Sequence, residues 1–199
     1  EEFLEHVLIG LRKTRRELPC KYFYDEHGSA LFEKICNLEE YYLTRTELDI
    51  MRRYTPEIAA AIGRDVALIE YGSGSSAKTR LLLDCLESLS GYIPVDISGE
   101  FLFHSARRLA DAYADITVLP VCADFTRPFP LPEVSDAARR VIYFPGSTIG
   151  NLTPDEMRSF LVATAKVCGE NGGLLIGVDL VKNVDTLEKA YNDKQGLTA

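Results

Sequence analysis

Val66-Ala67-Leu68-Ile69-Glu70-Tyr71-Gly72-Ser73-Gly74-Ser75-Ser76-Ala77-Lys78-Thr79 decides the fold. A short apolar, β-prone run passes through two glycines into Thr79-Arg-Leu-Leu-Leu-Asp-Cys-Leu86, which has a helical pattern. Strand, tight glycine turn and helix form the first half of a nucleotide-binding βα unit. Glycine lets the backbone turn sharply and approach a ligand closely, and the helix start offers unpaired N–H groups. A single Gly-x-Gly is weak evidence, because any tight βα turn can use one. The order of the surrounding elements gives it weight.

Downstream the chain alternates. Gly91 to Asp96 reads as a second strand ending in a carboxylate, and Ser98 caps a helix running to about Tyr113. Ile116 to Val121 reads as a third strand, followed by Asp124-Phe125 and a proline-rich loop; Pro94 and Pro120 suggest strand ends. Arg140 to Phe144 is a fourth strand, running into Pro145-Gly-Ser-Thr-Ile-Gly-Asn151. Thr153-Pro154-Asp155-Glu156 combines a threonine cap, proline at the first helical position and glutamate three residues on. Gly172 to Asp179 is a fifth strand, and Val184 to about Asp193 a last helix. This alternation predicts an α/β fold, a doubly wound and mainly parallel sheet that takes ligands at the carboxyl ends of its strands.

Upstream, residues 1–62 read as a helical arm and residues 63–199 as the sheet domain. Apolar residues Phe3, Leu4, Val7, Leu8 and Leu11 predict a helix ending near Pro19, and a second helix spans about Ala30 to Cys36. Between them Tyr22, Phe23 and Tyr24 serve either as a core plug or as ligand-facing rings. Thr44 and Glu47 have capping-box spacing, so a third helix is expected to start there, with Tyr41 and Tyr42 held just before it.

Composition narrows the class. The 199 residues are 46% hydrophobic and 26% charged, as in ordinary globular proteins. A net charge of −8 argues against broad nucleic-acid binding, and the cluster Arg12, Lys13, Arg15, Arg16 reads as a solvated helix face. No apolar run is long enough to span a bilayer, so no membrane association and a cytoplasmic location are expected. Cys20, Cys36, Cys85, Cys122 and Cys168 are scattered and read as buried free thiols, and the three histidines sit at no metal-ligand spacing, so no metal is expected.

Two ligands compete for the glycine turn. Gly72-Ser-Gly74-Ser-Ser-Ala77 fits the dinucleotide fingerprint, with Asp96 at the distance of a ribose-binding acid, so an NAD-dependent oxidoreductase is one reading. S-adenosylmethionine explains more residues. Glu70 ends strand one, Asp96 at the end of strand two would take the ribose hydroxyls, and Asp124 with Phe125 would hold the adenine. Acids in that order favour methyl transfer.

These motifs extend into a resemblance. Lys21-Tyr-Phe-Tyr-Asp25, Glu40-Tyr-Tyr-Leu-Thr-Arg-Thr-Glu47, Glu70-Tyr-Gly-Ser-Gly-Ser-Ser-Ala-Lys-Thr-Arg80, Tyr92-Ile-Pro-Val-Asp-Ile-Ser98, Phe144-Pro-Gly-Ser-Thr-Ile-Gly-Asn151 and Gly177-Val-Asp-Leu-Val-Lys182 cover essentially the whole chain. Together they resemble the histidine-specific, S-adenosylmethionine-dependent methyltransferases of ergothioneine biosynthesis. The resemblance implies a Rossmann-like methyltransferase core that trimethylates the α-amino group of L-histidine to hercynine. It implies S-adenosylmethionine as cofactor, S-adenosylhomocysteine as product, a small amino acid as partner and a monomer.

The resemblance also assigns residues. Gly72, Gly74, Lys78, Asp96, Asp124 and Phe125, with Glu70, are expected on the cofactor. Tyr42 and Asn151 are expected to orient the reacting amine, with Gly146 and Tyr191 completing the substrate site. The family pattern continues past residue 199, with a glutamate and a serine that recognise the imidazole. The chain therefore reads as C-terminally truncated relative to the family, and a non-catalytic cofactor-binding fragment is a further reading.

Overall fold

The computed structural model describes residues 2–74, 76–135 and 137–198; Ser75 of the glycine stretch lies outside them, as does the side chain of Glu26. The arm comprises α1 (Glu2–Arg12), a 3-10 turn (Cys20–Phe23), α2 (Glu26–Cys36) and α3 (Tyr42–Ile62). The sheet domain follows as β1 (Val66–Tyr71), α4 (Ala77–Leu83), β2 (Leu89–Asp96), α5 (Gly99–Ala112), β3 (Val121–Cys122), β4 (Arg139–Phe144), a 3-10 turn (Thr148–Asn151), α6 (Pro154–Cys168), β5 (Gly173–Ile176) and α7 (Val184–Tyr191).

The five strands stand in the order β3-β2-β1-β4-β5, and every pairing is parallel. All six residues of β1 are buried, as a central parallel strand covered on both faces requires. Its side chains alternate between two cores. Val66 and Leu68 join Met51 and Ile62 of α3, Leu82 and Leu83 of α4 and Tyr92. Ile69 and Tyr71 join Ile142, Phe144 and Phe160 of α6. The order reverses at β1, between β2 and β4, so the turns leaving β1 and β4 flank the switch point where open α/β sheets bind ligands.

Several local expectations change. α1 ends at Arg12, well short of Pro19, because Gly10 is buried against the carbonyl of Glu17 and a Cβ there would lie 2.0 Å from it. α2 begins at Glu26, ahead of Ala30, because the Asp25 carboxylate accepts from the Gly28 N–H at 2.7 Å. α3 begins at Tyr42, and Thr44 caps nothing.

β2 extends through Pro94, which was expected at a strand end. The expected third strand shrinks to Val121–Cys122 plus a bridge from Val118 to Tyr92. In the register shared by those two contacts Pro94 lies opposite Pro120. Neither has an N–H, so the ladder breaks between them. β5 ends at Ile176, three residues before Asp179.

The expected capping box is present at the start of α6. Glu156 Oε2 accepts from the Thr153 N–H at 2.8 Å while Thr153 accepts from the Glu156 N–H. The cysteines are free but none is buried. Cys85 and Cys122 are exposed, the first in the turn after α4 and the second on an edge strand, and the others are half-buried. No helix among the described residues is long and apolar enough to cross a membrane.

Candidate active site

The glycine turn leaves β1 with φ of +72° at Gly72 and +45° at Gly74, a backbone region that favours glycine. Among the described residues a Cβ on Gly72 would meet nothing nearer than the Phe125 ring, 4.0 Å away, so the turn is open on that side. Ser73, between the glycines, is buried and its hydroxyl has no partner among the described residues. Such a group is one that a ligand or water would satisfy.

Asp96 ends β2 beside this turn and accepts from the Ser98 N–H at 3.0 Å. Burial raises its pKa, with the backbone donors of Ser98 and Gly74 opposing the shift. Ser98 stands at the start of α5 without a side-chain cap bond, so the expected hydroxyl cap is not made and its N–H serves Asp96 instead. Phe125 stacks on Tyr71, ring centroids 5.5 Å apart and planes 8° from parallel, within the aromatic group that includes Phe144 and Phe160. Its neighbour Asp124 is held by Lys21 of the arm at 2.9 Å and by the Thr126 hydroxyl and N–H. Burial pushes Asp124 up, but the bonds from Thr126 and Lys21 outweigh it and keep the carboxyl below its ordinary range.

Glu70 sits apart from this group. Strand alternation sends it to the same face as Val66 and Leu68, where it is 2% exposed. Its Oε2 accepts from Thr79 at 2.6 Å and Tyr92 at 2.5 Å. Burial drives its pKa up to about 7 against those two bonds, which act to lower it. Glu70 therefore supports the glycine turn from beneath, by gripping Thr79 of α4.

A glycine backbone without Cβ atoms, an orphaned buried hydroxyl, a carboxylate at the end of β2 and an adjacent aromatic ring suit a nucleoside-bearing cofactor. This set of groups is compatible with S-adenosylmethionine.

The substrate candidates divide. Tyr42 and Gly146 line one cleft of about 240 Å3 between α3 and the ends of β4 and β5, together with Glu47, Tyr143 and Asp179. The Tyr42 hydroxyl donates to Asp179, which also takes Lys182, and the Lys182 ammonium lies 4.1 Å from the Tyr42 ring centroid. Burial and then the Asp179 carboxylate raise the Tyr42 pKa, so it acts as a neutral phenol. Arg45 fixes the approach to α3 by donating to the carbonyls of Leu38 at 2.6 Å, Glu39 at 2.5 Å and Tyr41 at 3.4 Å.

Asn151 and Tyr191 are not part of this cleft. Asn151 is exposed in the 3-10 turn after β4. Tyr191 is 55% exposed and packs edge-on against Tyr41 at 5.9 Å. Of the arm aromatics, Tyr22 packs on Phe3 and Tyr24 on Phe32, both contacts within the arm before β1 rather than a plug onto the sheet, while Phe23 is exposed.

Sequence reading gave no role to Asp179, Lys21 or Tyr143 and assigned Glu47 to a cap. Glu47 instead takes the Lys78 ammonium and the Gly146 N–H. A carboxylate ending the expected fifth strand was the available signal for Asp179. Nothing local marks Tyr143, whose buried hydroxyl has no partner among the described residues.

The histidine-specific, S-adenosylmethionine-dependent methyltransferase family matches residues 3–199. A histidine N-alpha-methyltransferase of Mycobacterium tuberculosis is 44% identical over 196 residues, 97% of this chain and 60% of that protein. Its counterpart in Mycolicibacterium smegmatis is 42% identical over 202 residues, 100% of this chain and 62% of that protein. The chain thus spans about 60% of the length of these relatives. Among solved structures, the plantazolicin methyltransferase BpumL in complex with SAH superposes with a TM-score of 0.58 at 16% identity. The match covers 90% of this chain and 64% of that one, a likeness of fold.

Proposed function

The chain belongs to the histidine-specific, S-adenosylmethionine-dependent methyltransferase family, and from that premise we propose that it carries the cofactor half and part of the amine site of an L-histidine Nα-methyltransferase. The reading is carried by one observation: Tyr42 from the arm, Lys78 from the glycine-turn helix and Gly146 from the turn after β4 gather at the carboxyl ends of the strands. An arm laid across the switch point in this way brings an amino-acid amine against a cofactor in the glycine turn. The family's dependence on S-adenosylmethionine favours that cofactor over a nicotinamide in the turn.

In this reading Gly72 and Gly74 let the backbone approach the cofactor, Asp96 takes its ribose hydroxyls, and Phe125 with Asp124 lies along its base. Lys78 faces its amino-acid end, and Glu70 holds the turn from below. Bound there, S-adenosylmethionine supplies an already activated methyl group. The protein's share is then alignment and exclusion of water rather than strong acid–base chemistry.

The attacking amine must be neutral, and partial burial of the cleft favours its uncharged form. Tyr42 orients its lone pair from the cleft, while Asn151, exposed in the turn after β4 and outside that cleft, is assigned to the same amine by the family resemblance alone. The proton leaves to water between additions, and three rounds give the trimethylated product. The arm, residues 1–62, thus serves as the substrate-side unit and residues 63–199 as the cofactor core.

Calorimetric titration with S-adenosylhomocysteine, then L-histidine in the same cell, tests this. Cofactor heat followed by a histidine signal supports both halves of the proposal. Cofactor heat alone places histidine selection outside these residues. Folded protein with no cofactor heat sinks the reading.

A further inference from the structure

Glu47 stands where four segments of the chain meet. It leaves α3 five residues after Tyr42, and its side chain is 16% exposed. Its carboxylate takes the Lys78 ammonium, and both of its oxygens lie within reach of the Gly146 N–H, at 2.9 and 3.0 Å. Gly177, just past β5, packs so closely that a Cβ there would lie 2.1 Å from Glu47 Oε1. Gly146 is constrained by its backbone instead, with φ of +79°, and an imaginary Cβ there would make only ordinary contact with Lys78 Nζ at 3.6 Å. The two glycine segments are also tied to each other, because Ser147 N–H donates to the Gly177 carbonyl at 3.1 Å and Gly177 N–H to the Phe144 carbonyl at 3.0 Å.

One carboxylate thus joins the arm, the head of α4 and the chain leaving β4 and β5. A lysine ammonium is a flexible point charge with three donors and no acceptor, so the anions around it set where it points. Charge-assisted bonds in a partly buried setting hold it more firmly than exposed pairs do. Tyr143 adds a buried phenol to the same cleft, and Asp179 faces Tyr42 across it.

We propose that Glu47 is a positioning residue for cofactor binding: it aims Lys78 at the glycine turn and, by holding Gly146, sets the substrate turn against it. The inference rests on the cofactor site proposed above and deepens it. Glu47 does not touch the cofactor; it acts through Lys78.

The test is a thermodynamic cycle on the intact protein, with S-adenosylhomocysteine affinity measured by calorimetry for wild type, Glu47→Gln, Lys78→Met and the double variant. Glu47→Gln keeps an acceptor for the Gly146 N–H and removes the charge that fixes Lys78. It is expected to weaken binding about 10-fold. In the Lys78→Met background the same change should alter affinity by about 2-fold or less, because the residue through which it acts is gone.

A merely structural role would instead give equal losses in both backgrounds, and that result overturns the inference. Unchanged or tighter binding by Glu47→Gln overturns it as well. Folding is followed by circular dichroism. If Glu47→Gln does not fold, Glu47→Asp, which keeps the charge but withdraws one methylene, takes its place in the same cycle with the same criteria. Failure of the wild type to bind S-adenosylhomocysteine would remove the cofactor site and this inference together; wild-type binding with either adverse result removes the inference alone.

Discussion

The Lys21 ammonium lies 2.9 Å from the Asp124 carboxylate, 103 residues further along the chain. The arm is thereby pinned to the loop after β3, beside the ring of Phe125. Lys21 also takes Glu2 at 2.8 Å, so the pair belongs to a small network at the start of the arm. Both side chains of the pair are about one-fifth exposed, which limits its worth.

Lys21→Met should cost about 1 kcal/mol at neutral pH, read from urea unfolding. Asp124 is held below its ordinary pKa, so its contribution is present above about pH 4 and lost as pH falls through the folded value. The gap between wild type and variant should therefore close on acidification below about pH 4. A gap that stays constant with pH would mean that Lys21 acts by packing alone.

Glu70 predicts a pH dependence of the opposite sign. Its folded pKa, about 7, lies above the ordinary 4.5, so between those values the fold binds more protons than the unfolded chain. Stability should fall as pH rises through that window, by on the order of 3 kcal/mol from this group, and level off above it. Glu70→Gln should flatten the slope, as seen in thermal melts from pH 5 to 8. Parallel curves for the two proteins would assign the slope to other groups.

Tyr42→Phe removes a hydroxyl that donates to Asp179 and lines the cleft. Methyl transfer to histidine should drop about 10-fold, the worth of one hydrogen bond at a reacting centre. Affinity for S-adenosylhomocysteine should stay within about 2-fold, since the proposed function puts the phenol on the substrate side. A matching loss of cofactor affinity would move Tyr42 out of the substrate role.

Thr153→Ala deletes the threonine half of the capping box at the start of α6. The expected cost is about 1 kcal/mol of stability, visible as a lower melting temperature, with cofactor binding intact. An unchanged melting temperature would show that water replaces the cap without loss.

The elements readable in advance are those whose signals lie within a few residues. The apolar run of β1, its two glycines, the Thr153-Pro154-Glu156 start of α6 and the carboxylate ending β2 all stand where the chain pattern put them. The readings that changed depend on distant partners. β3 shortened because Pro120 faces Pro94 of another strand, a coincidence of register that neither segment announces. Thr44 and Glu47 have the spacing of a capping box, yet helix α3 starts two residues before Thr44. The partly buried Lys78 and Gly146 N–H then claim the carboxylate more strongly than a solvated backbone end could.

By itself, then, the sequence determined the parallel α/β order, the glycine turn and the acids that end the strands, because strand, turn and helix propensities act locally. The tertiary structure decided which acids do what. Alternation along β1 buries Glu70 beneath the turn and leaves Asp96 beside it, and the crossing of α3 over the sheet delivers Glu47 to Lys78. A carboxylate's role follows from the donors that surround it, and those donors come from segments far apart in the chain.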